Sequence, residues 1–297
     1  MTVDLSRAAA FLAGRGRVLD RRRFDLLVGR ADADAVLAAV DGYRNSDGGY
    51  GWGLEPDLRA PESQPAGALH AFEVFEDIAP LTTPRAVELC GWLDSVTLSD
   101  GGLPFALPVA DPTGCAPFWA EADPSVSTLQ STAFAAGVAH RVAAHDPAVA
   151  AHPWLERATR YCLDAIAAVE EQPHAIALSF AIRFLDAAHD RYPEAATLLE
   201  RLGKFVPDTG LVPVAGGSED ETMRALNFAP VPGTPASALL RPGVIEAELD
   251  RLAQRQSDDG GWVVDFASFS PAAELEWRGY ATVQAVQTLH RAGRLAL

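Results

Sequence analysis

Between Tyr50 and Ser63 the chain reads Tyr-Gly-Trp-Gly-Leu-Glu-Pro-Asp-Leu-Arg-Ala-Pro-Glu-Ser, so Glu55, Asp57 and Glu62 share one short segment with Arg59 and Trp52. Near the other end, Glu274-Leu-Glu276-Trp277-Arg278-Gly-Tyr280 has the same make-up. Closely spaced carboxylates can divide the work of a general acid and a general base, an arginine can fix an anion, and aromatic faces can stack on a ligand. Glu55, Asp57 and Glu276 are therefore candidate catalytic groups, and Trp52, Arg59, Trp277, Arg278 and Tyr280 candidate binding groups. The structural alternative is that Arg59 and Arg278 pair with these acids and hold their segments in place. Trp119 and Trp262, with Phe105, Phe118 and Phe266, extend the aromatic set, either to shield a cation or to pack in a core.

The elements that must carry these residues repeat. Asp47-Gly-Gly-Tyr50, Asp100-Gly-Gly-Leu103 and Asp259-Gly-Gly-Trp262 are separated by 53 and then 159 residues, one period and three. A decayed copy, Asp208-Thr-Gly-Leu211, lies close to the same register, and none stands near 153. A fixed period of this size marks units too small to bury their own apolar face. Apolar residues at helical spacing precede each phrase: Ala33, Val36, Leu37 and Val40, then Ala86, Leu89, Cys90 and Leu93, then Val244, Ala247, Leu249 and Leu252. Glycine then ends the helix. A more apolar helix follows each phrase, over 66–75, 131–144 and 280–289, and another is expected over 175–188. Amphipathic helices alternating with apolar ones predict two concentric layers. The expected fold is all-α, an (α/α)6-type toroid of helical hairpins about 53 residues long, forming one domain over 1–297. Proline-rich irregular loops interrupt it at 99–124 and 206–243. Only 211–214 and 263–266 read as short strands.

These phrases resemble the QW repeats of the terpenoid cyclase and protein prenyltransferase superfamily. Gln256-Ser-Asp-Asp-Gly-Gly-Trp262 matches the Q-x-x-D-G-G-W form in full, while the other two carry Arg44 or Thr97 for the glutamine and Tyr50 or Leu103 for the tryptophan. The resemblance covers roughly 32–293 and implies the toroid; it also implies that the phrases themselves are structural. Class II cyclases of that superfamily protonate an alkene from a D-x-D-D-T sequence at the start of an inner helix. Ser218-Glu-Asp220-Glu221-Thr222 is similar to it, which puts Asp220 at the acid position with Glu221 beside it. The first aspartate is replaced by Ser218, and prolines at 230, 232 and 235 interrupt the expected helix. No D-D-x-x-D run and no D-x-C is present, and the histidines at 140, 145 and 152 lack ligand spacing, so no metal site is expected.

The leading functional expectation is a class II terpene cyclase-like enzyme protonating an apolar isoprenoid in a central cavity, without a cofactor; Mg²⁺ enters only if the substrate is a diphosphate. One alternative is a glycan-active (α/α)6 hydrolase or lyase using Glu55, Asp57 and Glu276; another is a non-catalytic binding toroid. The formal charge of −16, from 40 acidic and 24 basic residues, argues against nucleic acid as a partner. Three cysteines without CxxC spacing, no leader-like run and no long apolar stretch lead us to expect a cytoplasmic protein with no membrane segment. Oligomeric state is left open.

Overall fold

The structure is a computed structural model that describes residues 3–241 and 243–297. Pro242, one of the prolines in the 206–243 segment, lies outside the described residues, as do Met1 and Thr2.

The chain is mostly helical. Along it run α1 (Leu5–Arg15), α2 (Val18–Leu27), α3 (Ala33–Val40), α4 (Pro65–Asp77), α5 (Pro84–Val96), α6 (Pro117–Ala120), α7 (Leu129–Ala143) and α8 (Pro147–Ala150). They continue as α9 (Pro153–Ala167), α10 (Ala175–Ala188), α11 (Glu194–Gly203), α12 (Ala225–Phe228), α13 (Val244–Gln254) and α14 (Pro271–Arg291). Proline opens α4, α5, α9 and α14, where its missing N–H costs no hydrogen bond. Asp4, Asp32, Thr128 and Ser270 cap other helix starts or reinforce them through their side-chain oxygens.

Contacts divide the chain into two compact units, Met1–Gly42 with Val206–Leu297, and Tyr43–Phe205. In Tyr43–Phe205, α4 packs on α7 and α7 on α10, while α5 packs on α9 and α9 on α11. The pairs α4–α5, α7–α9 and α10–α11 join the two rows. The row of α4, α7 and α10 is apolar on most sides: every residue of α4 from Pro65 to Phe75 is buried. Small residues let these helices approach, and a methyl group on Gly137 of α7 would stand 3.2 Å from the Phe184 Cα of α10. By contrast α9 buries Trp154, Leu155, Ala158, Cys162 and Ile166 along one face and leaves Arg157 and Arg160 outside. In the other unit α14 packs against α1, α2 and α13 around Phe11, Leu12, Phe24, Leu249, Trp262, Val286 and Leu289.

The three Asp-Gly-Gly phrases fold into the same turn. In each, the aspartate Oδ1 accepts the N–H of the second glycine: Asp47 from Gly49 at 2.9 Å, Asp100 from Gly102 at 3.1 Å, Asp259 from Gly261 at 3.2 Å. The first glycine sits at a φ of 90°, 91° or 96°, a conformation that only glycine adopts cheaply. The second glycine lies against an aromatic ring of a following or preceding helix: Trp92 on α5, Tyr161 on α9 and Phe11 on α1. Ser63 and Ser127 each donate a hydroxyl to the same aspartate oxygen, at 2.8 and 2.6 Å. In the third turn Arg278 takes that place.

Several elements differ from expectation. The segment 222–228 does not open as a long inner helix: Thr222–Met223 is a two-residue strand (β4) paired antiparallel with β3 (Val212–Pro213), and α12 has four residues. Gly216 and Gly217 supply the turn of that hairpin, so the acidic run 218–221 closes a loop rather than capping a helix. The strand expected at 263–266 is absent, whereas Leu103–Pro104 (β1) pairs with Ser127–Thr128 (β2) inside the proline-rich loop. Helix α14 starts nine residues before 280, because Ser270 and Pro271 form a good helix start whose first turns are simply exposed. Glu274–Tyr280 is therefore helix, although the helix expected from the sequence begins only at 280.

Candidate active site

The loop from Tyr50 to Ser63 is built by close backbone approach. Gly51 leaves room for the carbonyls of Pro61 and Glu62, which a methyl group would meet at 2.4 and 2.2 Å, and the Trp52 N–H donates to the Ala60 carbonyl at 2.7 Å. The loop turns Glu55 and Asp57 inward; they are 8% and 6% exposed. Glu55 reaches helix α4, where His70 and Glu73 are one turn apart. His70 Nε2 lies 3.2 Å from Glu55 Oε2, and its Nδ1 lies 3.2 Å from Glu73 Oε2. The Asp57 N–H donates to Glu55 Oε1 at 3.3 Å.

The result is an imidazole between two carboxylates, all buried. Burial alone would lower the His70 pKa, but the hydrogen bonds and charges of Glu55 and Glu73 outweigh it and raise it from 6.5 to about 9. His70 is therefore an imidazolium at neutral pH, with its two N–H groups donating to Glu55 and Glu73. A charge held this way is either a structural pin or one half of an acid–base device.

The proline-rich loop packs on the same segment. Leu58 bridges Cys115, the Ala116 N–H donates to the Asp57 carbonyl at 2.8 Å, and the Gln64 side chain exchanges hydrogen bonds with Leu107. Arg59 is exposed, its aliphatic stem lying beside Gly53 and Gly114, both at positive φ. Trp119 is buried and stacked on Phe105 at 4.4 Å, and its indole Nε1 is shielded with no hydrogen-bond partner among the described residues. Trp52 stands out, 58% exposed.

The remaining candidates belong to the other unit. Trp262 is buried and donates from Nε1 to the Leu252 carbonyl at 2.8 Å, a packing role. Arg278 pairs with Asp259 and lies over the Phe11 ring. Trp277 meets Phe266 and Tyr280 edge to face, and Arg23 lies over the Tyr280 ring. Glu276 is half-buried on α14. Asp220 is exposed in the β3–β4 turn, and Glu221 turns back to accept the Ser218 N–H at 3.1 Å.

Sequence reasoning missed His70 and Glu73. Their signal is two titratable residues at i,i+3 on an otherwise apolar helix, where burial forces them to find partners. Among the described residues no group of three or more His, Cys, Asp or Glu is arranged to hold a metal ion, and no helix is long and apolar enough to cross a membrane. Comparison with protein-family models and with curated proteins returns no match to this chain.

Proposed function

We propose that this protein is a glycan-active hydrolase whose acid–base pair is Asp57 and Glu55, carried on an α/α toroid of the kind its repeats resemble. The observation that carries the reading is the buried Glu55–His70–Glu73 cluster with Asp57 beside it. Glycoside hydrolysis needs two carboxyl groups with different tasks, one protonating the leaving oxygen and one activating water or attacking the sugar. Glu55 is fixed through both oxygens, by the Asp57 N–H and by His70, as a group that must hold its aim requires. The His70 imidazolium offsets the negative charge gathered around it. Asp57 would be the second carboxyl group, and Glu73 would orient His70.

The isoprenoid alternative is supported by the resemblance of the repeats. It has less support from the acid it needs: alkene protonation calls for a carboxyl group held dry, and Asp220 is exposed in a hairpin turn. Closure of the helical hairpins into a ring and residence in the cytoplasm are parts of the same proposal.

The test is incubation with a panel of plant, fungal and bacterial polysaccharides, scored by new reducing ends. Wild type should release them, and Glu55→Gln and Asp57→Asn should lose at least a hundredfold in rate while keeping the wild-type circular dichroism. Cyclised products from squalene-like alkenes or isoprenoid diphosphates, lost in Asp220→Asn, would overturn the reading.

A further inference from the structure

Trp52 combines two costly properties. Its backbone has φ 56°, in the left-handed region where a bulky residue is a true outlier. Its indole is nonetheless exposed, so burial does not repay the strain. Strained non-glycine residues that persist are held by their surroundings and gather at functional sites.

What holds Trp52 is Asn45. The indole Nε1 donates to Asn45 Oδ1 at 2.7 Å, while Asn45 Nδ2 donates to the Pro61 carbonyl at 2.8 Å and to Ser63 Oγ at 2.9 Å. The three Asp-Gly-Gly turns allow a direct comparison. Leu98 and Ser257 occupy the place of Asn45 in the second and third turns, and Phe105 and Val264 the place of Trp52. The turn folds without either residue, so the Asn45–Trp52 pair is specific to the first copy.

Beside this pair a shallow groove is walled by Asn45, Asp47, Glu62, Ser63, Trp92 and Pro108. Glu62 Oε1 accepts the Ala110 N–H at 3.1 Å, but its Oε2 is shielded and has no hydrogen-bond donor in the protein. Asp47 Oδ1 is taken by Gly49 and Ser63. The exposed Trp52 indole is not part of the groove's lining but is hydrogen-bonded to the lining residue Asn45; with the groove's carboxylate and hydroxyl groups nearby, it suits a ligand that is apolar on one face and rich in hydroxyl donors on its edge. That is the chemistry of a pyranose ring.

We propose that Trp52 is the stacking platform of a saccharide subsite at the edge of this groove, with Trp52 stacking on one sugar ring and Asn45 positioning the indole. The subsite names a ligand for the glycan reading above and rests on it for its biological sense, but binding here needs neither Glu55 nor Asp57.

The test is titration of the full chain with cellohexaose, xylohexaose, maltohexaose and chitohexaose, read by intrinsic tryptophan fluorescence and calorimetry. At least one should bind with a shift in tryptophan emission. Trp52→Ala should weaken it at least tenfold, and Asn45→Leu should weaken it although Trp52 is intact. Trp52→Gly should be at least as heat-stable as wild type, because glycine relieves the strained φ, yet should fail to bind. No binding of any hexasaccharide, or binding unchanged in Trp52→Ala, overturns the subsite. So does a Trp52→Gly variant that loses stability together with binding. Binding without reducing-end release would leave the subsite standing and count against the hydrolase. Release with unchanged binding in Trp52→Ala would do the reverse.

Discussion

Arg278 donates to both carboxylate oxygens of Asp259, at 2.7 and 3.0 Å, in the position where Ser63 and Ser127 each give a single hydroxyl to Asp47 and Asp100. One repeated turn is thus closed by two chemistries. The arginine also lies over the Phe11 ring at 4.6 Å, so it joins the turn to α1.

Removing that arginine should cost stability. Arg278→Ala is expected to lose about 1–3 kcal/mol, since a partly buried, charge-assisted pair is broken and, among the described residues, Asp259 keeps Arg15 as its cationic partner. Arg278→Lys should recover part of it, keeping one cationic donor for Asp259 but losing the Nε–H bond to the Trp262 carbonyl. Urea unfolding followed by circular dichroism measures both.

Glycines in the turns should respond unlike a glycine elsewhere. A methyl group on Gly49 or Gly102 would stand 2.5 Å from the Cβ of Ser63 or Ser127 and 2.6 or 2.7 Å from an aromatic carbon of Trp92 or Tyr161. Gly49→Ala and Gly102→Ala should each destabilise by about 1–3 kcal/mol through overpacking. Gly91, exposed within α5 and facing open space, should give the opposite sign: Gly91→Ala is expected to stabilise by about 0.5–1 kcal/mol. Melting temperatures of the three variants decide it.

Stability should peak near pH 6.5. The His70 pKa is raised to about 9 in the folded chain, so its contribution is complete below about 6.5, the unfolded value. That contribution is lost as pH climbs through 9, roughly 3 kcal/mol in all. His140 works in the other direction. Burial, and then the charge of Arg191, lowers it to about 4, and its Nε2 pairs with the Thr159 hydroxyl at 2.8 Å. Its contribution is present above about 6.5 and is lost as pH falls through 4. Urea midpoints between pH 4 and 10 should trace both limbs, and His70→Gln should flatten the alkaline one.

The thiols should be inert in the folded protein. Burial pushes Cys90 up to about 12, aided by the charge of Asp146, and pushes Cys162 well above the ordinary thiol range. The thiolate is the reactive form. Iodoacetamide at pH 8 should therefore label these two only at the rate of unfolding, as mass spectrometry would show.

How much of this was legible beforehand varies by element. The apolar stretch 175–188 reads as a helix and is one, because its spacing and composition act locally and nothing nearby breaks it. The positive φ of the first glycine in each Asp-Gly-Gly phrase was legible for the same reason, but these glycines do not end the preceding helices, which stop earlier at Val40, Val96 and Gln254. The Glu274–Tyr280 segment was misread because polar first turns of a helix look like a loop until a cap is recognised. The run at Asp220 resembled an acidic helix start, but two glycines upstream turned it into a hairpin.

Local chemistry along the chain by itself determined the helical class and the turn residues. Tertiary structure alone decided that Glu55 meets His70 fifteen residues away, that Glu73 completes the cluster, and that Trp52 stays outside while Trp119 and Trp262 are buried. Those outcomes depend on which loop folds back over which helix. That is set by the summed burial of the whole unit, and no window of residues carries that sum.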